Sequence, residues 1–308
     1  MALIRLDNIE NTKILRLSTG FDPLDEAFGV THHGNIASYG MPCGRIVFAS
    51  GEPGVGKTRL GIAITKKVNA RGGKILVFQG EVRPQEFKQW TGSDIICPTK
   101  YFVSDDRDVT AMIGYIRQES PDLVIIDSAN MIDDYDKSSE IKGIMDDLKI
   151  AVAETGCVCL MIGHLTKAGL MKGNSGVPHL VDVECSIIKV HTANMKSFDG
   201  LTFSESSKKL IQENNLDKAQ YRAAMEKLCM LVPGMFRYNI GKNRYGPSGG
   251  WALFYHTATG IEYLDSPSGL DERMVKLIDK NAGIYSSSNK NKNKNKNKNK
   301  KASSWWSR

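Results

Sequence analysis

None of the six cysteines in the 308-residue chain forms a Cys-x-x-Cys pair. Cys43, Cys97, Cys185 and Cys229 are scattered, and the close pair Cys157 and Cys159 lies in an apolar, strand-like run. That spacing argues against a zinc site and against a disulfide framework. No apolar run approaches the roughly 18 residues of a membrane span. The first residues carry Arg5, Asp7 and Glu10 where a signal peptide needs an apolar stretch. A soluble chain in a reducing, cytoplasmic setting, with no membrane partner, is therefore expected. Acidic residues are also missing from positions 290–308, which hold seven lysines and one arginine. The formal net charge of +7 thus resides in the tail, and residues 1–289 carry about −1. Any contact with nucleic acid must come from local loops or from that tail.

With 41% hydrophobic and 24% charged residues, the chain can bury a sizeable core. Five short, β-branched-rich runs are bounded by polar residues or glycine: Arg45–Ser50, Lys74–Gln79, Lys100–Ser104, Asp122–Ile126 and Cys157–Ile162. They read as buried parallel strands. Between them, Thr58–Ala70 places Leu60, Ala63, Ile64 and Val68 on one helical face, and Ser138–Glu154 does so with Ile141, Ile144, Leu148 and Val152. Strand and helix in alternation predict a doubly wound α/β fold, a mostly parallel twisted sheet flanked by helices, whose ligands sit at the carboxyl ends of the strands.

The last third changes character. Val183–His191 and Met235–Asn243 read as strands, and Trp251–His256 closes an antiparallel hairpin on the second across Gly246-Pro247-Ser248-Gly249-Gly250. The stretch at about 204–231 is rich in lysine and glutamate, lacks glycine and proline, and reads as an inserted surface helix or helical pair. Residues 1–285 are expected to form one α/β domain and 286–308, with its Asn-Lys alternation, a disordered tail. Two readings of that tail stand: a solvated appendage, or a phosphate-binding arm on which Trp305 and Trp306 stack against bases.

Gly51-Glu52-Pro53-Gly54-Val55-Gly56-Lys57-Thr58, followed by Arg59, fits GxxxxGK[ST] directly after a strand and before a helix. Glycines let the loop turn its N–H groups inward around phosphates, Lys57 neutralises the γ-phosphate of ATP, and Thr58 ligates Mg²⁺. Asp127, at the end of the apolar run Leu123–Ile126, is the carboxylate expected to hold the ion through its water shell. Glu81 follows the strand KILVFQG and is the candidate to orient an attacking water, with Glu52 and Glu86 competing.

Six motifs in order resemble the RadA/Sms group of RecA-like P-loop ATPases. They are Ser18–Asp25, the phosphate loop, Phe78–Glu81, Gly163-His164-Leu165-Thr166-Lys167, His179–Asp182 and Lys242-Asn243-Arg244-Tyr245-Gly246, where tyrosine replaces the family's phenylalanine. The resemblance spans about residues 17–265 and implies an ATPase core, without the family's zinc finger and Lon-like domain. It implies a homo-oligomer, a hexameric ring, in which Lys242 and Arg244 act in trans on a neighbour's nucleotide. Taken alone, the pair shares one face of a strand and equally suits an exposed polar hairpin end.

His164 reads either as a hydrogen-bonded strand end or as a γ-phosphate sensor. The glycine-rich loop Thr166–Pro178, with Lys167 and Lys172, suits either an ordinary flexible loop or a contact for single-stranded DNA. Together these features predict a Mg-ATP-dependent motor on single-stranded DNA. A DnaB-like replicative helicase, a strand-exchange recombinase and an ATP-gated oligomeric scaffold are the alternatives.

Overall fold

Every second residue of a strand points to the same side. In the run from Arg45 to Gly51, Ile46 and Phe48 enter one apolar cluster while Val47 and Ala49 enter another. A strand apolar on both sides requires a sheet covered on both faces, and that is the architecture found. The structure, a computed structural model, describes residues 14–92, 94–135, 137, 140–165, 176–190, 234–258 and 260–265. Lys167 and Lys172, the expected helical insertion at 204–231 and the Asn-Lys tail at 286–308 lie outside the described residues.

In chain order the first elements are β1 (Arg16–Leu17), α1 (Asp22–Phe28), β2 (Val30–His33), β3 (Ile36–Tyr39), β4 (Met41–Pro42) and β5 (Arg45–Gly51). Next come α2 (Lys57–Ala70), β6 (Ile75–Gln79), α3 (Pro84–Thr91), β7 (Tyr101–Ser104), α4 (Val109–Glu119), β8 (Leu123–Asp127) and α5 (Ile141–Thr155). The remainder are β9 (Val158–His164), α6 (Val177–Leu180), β10 (Val183–Lys189), β11 (Phe236–Asn243), β12 (Trp251–His256) and β13 (Ile261–Asp265).

The main sheet has nine strands in the order β13-β12-β11-β10-β5-β9-β8-β6-β7. The six from β10 to β7 are parallel, and β11, β12 and β13 extend the sheet antiparallel. Apolar residues of α1, α2 and α3, including Leu24, Leu60, Ile64, Val68 and Phe87, cover one face. Those of α4 and α5, among them Met112, Ile116, Met145, Leu148 and Val152, cover the other. This is a RecA-like α/β ATPase fold with an antiparallel C-terminal extension, as the alternating pattern predicts. The five predicted parallel strands and the helix after the phosphate loop all form, displaced by a residue or two at their ends. Beyond the expectation, β13 adds to the predicted hairpin of β11 and β12 in the main sheet, and β1 with β4 and β2 with β3 form two small two-stranded sheets.

The topology also fixes what stands next to what. The strand after the phosphate-loop helix, β6, is separated from β5 by β9 and β8. The carboxyl ends of β5, β9, β8 and β6 therefore line up along one edge, each delivering one candidate residue. No helix among the described residues is long and apolar enough to cross a membrane.

Candidate nucleotide site

The loop between β5 and α2 depends on two glycines with left-handed backbone, Gly54 (φ +73°) and Gly56 (φ +101°), the second capping α2. Side chains rarely adopt this region, so glycine at these positions lets the loop curl back over the helix start. Val55 anchors the loop in the core, while Glu52, Pro53 and Gly54 are exposed. Lys57 is 5% exposed, and its Nζ donates to the carbonyls of Gly51 and Glu52, each at 2.9 Å. Burial lowers its pKa, against the opposing pull of Asp127 and Glu81. The ammonium thus sits inside the loop, satisfied by carbonyls and by no counter-ion at contact distance among the described residues.

Asp127 ends β8 and is 2% exposed. Burial raises its pKa, the Thr58 hydroxyl lowers it by hydrogen bonding, Glu81 raises it, and His164 and the Gln79 amide lower it. The Gln79 amide nitrogen donates to Oδ2 at 3.5 Å. Its Oδ1, buried, has no hydrogen-bond partner among the described residues. A buried carboxylate oxygen without a donor is unfavourable unless something cationic completes it. With the Thr58 hydroxyl beside it, this donor set is all oxygen, which suits a hard divalent ion such as Mg²⁺.

Glu81 emerges after β6, and its Oε1 lies 2.7 Å from Nε2 of His164 at the end of β9. The contact spans the end of β8, so Asp127 lies between the strands that supply the pair. Gln79, which the sequence reading passed over, fastens this corner: its Oε1 accepts the Glu81 N–H at 2.9 Å while its amide reaches Asp127. A polar residue ending an otherwise apolar strand was the signal for it. Glu81 also opens onto a polar cleft of about 470 Å³ shared with Arg83, Glu86 and Arg107. Of the competing glutamates, Glu86 caps α3 by accepting the Arg83 N–H at 3.2 Å. Glu52 is exposed on the outer loop, where its carbonyl holds Lys57. Arg59 turns away from the loop, donating to the Thr257 carbonyl at 3.3 Å.

Lys242 and Arg244 stand at the other edge of the sheet. Asn243 pairs with Val183, which pairs with Val47, four residues before Gly51. At about 3.3 Å per residue, Arg244, which follows Asn243, lies at least ~13 Å along the strands from the start of its own phosphate loop, and Lys242, in register with Phe48, about 10 Å. Lys242 Nζ donates to the carbonyls of Pro178 (3.1 Å), His179 (3.4 Å) and Val181 (2.8 Å), closing the end of α6. Arg244 approaches Asp182 at 3.8 Å, and its side chain is 49% exposed. The expected shared strand face does not form, because β11 ends at Asn243 and Arg244 stands in the turn that follows: Lys242 ties down backbone, whereas Arg244 is half-exposed beside Asp182. Tyr245 stacks under the Arg45 guanidinium, 4.6 Å from its centroid, a contact that phenylalanine could also make.

No family model matches the chain. Among curated proteins it is similar to a DNA repair protein RadA of Aquifex aeolicus, 23% identical over 259 residues, covering 82% of this chain and 47% of that protein. A DNA repair protein RadA of Mycolicibacterium smegmatis is 23% identical over 165 residues, covering 50% of this chain and 35% of its own length. One of Chlamydia muridarum is 27% identical over 149 residues, covering 46% and 33%. The chain spans less than half the length of each of these relatives. The likeness is distant and partial, and it lies at the level of RecA-like ATPases of the RadA type.

Proposed function

We propose that this chain is a Mg-ATP-dependent ATPase that acts on single-stranded DNA in recombination, repair or replication, as a RadA/Sms-like motor. One observation carries the reading: Lys57, Asp127, Glu81 and His164 converge at one sheet edge, with a buried Asp127 oxygen lacking a partner. Four separate strands deliver them, and an ordinary packed core has no use for an unpaired carboxylate oxygen there. Similarity to proteins named DNA repair protein RadA gives the direction of the biological role.

The chain's own residues divide the chemistry. The loop from Gly51 to Thr58 turns backbone N–H groups to the phosphates, and Lys57 moves its ammonium from the loop carbonyls to the terminal phosphate. Thr58 and Asp127 would hold Mg²⁺, which supplies charge neutralisation on the phosphates. Glu81 accepts a proton from an attacking water while His164 fixes its carboxylate. Arg244, too far from its own loop, serves the loop of the next copy in a head-to-tail homo-oligomer, a hexameric ring in this reading. Lys167 and Lys172 supply phosphate contacts to the DNA strand.

The test is steady-state ATP hydrolysis with and without single-stranded DNA at two salt concentrations, with Lys57→Ala as the blank. Stimulation that falls with salt and is absent from the blank upholds the motor. Turnover indifferent to DNA replaces it with an ATP-gated assembly protein.

A further inference from the structure

The first elements of the chain and the turn that carries Arg244 meet at one carbonyl. Phe28, the last residue of α1, offers an oxygen that accepts from Nη1 of Arg16 at 3.2 Å and from the side-chain amide of Asn243 at 2.9 Å. Carbonyls at the end of a helix lack partners within it, and here two side chains far apart in sequence supply them. Arg16, in β1, also donates to the Gly40 carbonyl at 2.9 Å, to the Thr31 hydroxyl at 2.8 Å and, through Nη2, to the Tyr245 carbonyl. All of these acceptors are neutral oxygens. A guanidinium committed to three backbone carbonyls and a hydroxyl works as a clamp, because its donors diverge from one rigid plane.

Asn243 closes the turn from inside. Its amide nitrogen also donates to the Pro247 carbonyl at 3.2 Å, and its Oδ1 accepts the Tyr245 N–H at 3.0 Å. The reverse orientation of the amide would set its donors against the Tyr245 N–H and its oxygen against two carbonyls. Close approach is built in: a Cβ on Gly246 would stand 2.4 Å from the Phe28 oxygen and 2.8 Å from Nδ2 of Asn243. Arg244, between these anchors, is therefore fixed in its backbone and exposed at its tip. Its N–H donates to the Asp182 carbonyl at 3.3 Å, whereas its guanidinium, 3.8 Å from the Asp182 carboxylate, is half-exposed.

We propose that Arg16 and Asn243 are positioning residues for Arg244: by docking the turn after β11 on the end of α1, they set where its guanidinium leaves the subunit towards the nucleotide of the next copy. This rests on reading Arg244 as acting in trans. It gives β1 and the end of α1 a part in hydrolysis at a neighbouring site that neither element's sequence reveals.

The experiment measures kcat, KM and ATP affinity for Arg16→Met and Asn243→Ala, alone and mixed with Lys57→Ala, with thermal unfolding in parallel. Lys57→Ala keeps Arg16, Asn243 and Arg244, so in a mixed assembly it lends a well-placed arginine to the variant's nucleotide site. Arg244→Ala mixed with Lys57→Ala is the control. For each variant alone, kcat is expected to fall at least about tenfold, because a displaced guanidinium costs rate. ATP affinity should stay within about threefold of the wild type, since the turn lies away from its own loop. Adding Lys57→Ala in excess should return turnover per variant copy to within about threefold of the control pair. Damage confined to the variant's own fold would not be repaired by a neighbour. Wild-type kcat in either variant, or turnover that stays low in the mixture while the control pair regains activity, overturns the inference and leaves catalysis in trans intact. A control pair that stays inactive overturns both. Should a variant lack a cooperative unfolding transition, Arg16→Lys or Asn243→Asp, each of which can keep part of the bonds, replaces it under the same criteria.

Discussion

His164 Nε2 and Glu81 Oε1 lie 2.7 Å apart although 83 residues separate them and another strand lies between theirs. A carboxylate held by an imidazole has lost most of its rotational freedom, and Glu81 is so held where it lines the polar cleft.

Replacing Glu81 by glutamine keeps a hydrogen-bonding partner for His164 and removes the base. We expect kcat to fall by at least about a hundredfold while ATP binding persists. Single-turnover hydrolysis beside equilibrium nucleotide binding measures both quantities, and near-normal turnover would remove Glu81 from the role.

His164→Ala frees the Glu81 carboxylate to rotate. The expected outcome is a drop of about tenfold in kcat with the KM for ATP unmoved, most of it recovered in His164→Gln. A kcat above the wild type would instead make the imidazole a restraint on Glu81.

Asp127 permits a stability test without nucleotide. Burial raises its pKa above the ordinary 3.8. The native state therefore binds this proton more readily than the unfolded chain does. Its contribution to stability declines as pH rises from about 3.8 through the raised value, and the deficit is constant above that. Asp127→Asn should unfold at a higher temperature than the wild type at neutral pH, by about 2–4 °C for each ~1 kcal/mol relieved. The gap should close as pH falls towards 4, and the variant should lose Mg²⁺-dependent hydrolysis. Calorimetric scans at several pH values measure the first effect, and an unchanged or lowered neutral midpoint contradicts it.

In the proposed head-to-tail arrangement, Arg244→Ala and Lys57→Ala disable different halves of a shared site. Each alone should reduce turnover by about a thousandfold, and mixing the two proteins should restore a measurable fraction. Lys242→Met is expected to behave differently: it removes three donations to the carbonyls of Pro178, His179 and Val181, so the midpoint of unfolding should fall along with activity. Failure of the mixture to regain activity would count against catalysis in trans.

Local signals were strong where the chain is apolar on both sides. β5, β6, β8 and β9 announce themselves as short β-branched runs, and the loop after β5 carries its own pattern. Weaker elements escaped for identifiable reasons. α4 offers Met112, Ile113 and Ile116 behind the Asp108 cap, whose side chain accepts the Thr110 N–H, but the run has just eleven residues. β13 is five residues with two acids, and it exists because β12 has an open edge to pair with. The candidate site was legible as separate residues and not as an arrangement. That Glu81 meets His164, that Glu86 caps a helix and that His256 abuts Gly56 are consequences of strand order, which periodicity does not encode. Lys242 shows the limit most plainly: spacing put it beside Arg244, whereas the three carbonyls it binds belong to a segment about sixty residues earlier.

Because β11 runs antiparallel to the strands that bear the phosphate loop, its last residues finish at the opposite rim of the sheet. In the proposed head-to-tail arrangement, a copy that lends Arg244 at one rim and borrows at the other would have no use for its own guanidinium. Specific activity would then rise with protein concentration, with an apparent reaction order above one. Dilution would become an off-switch that requires no inhibitor, and local crowding would become the on-switch.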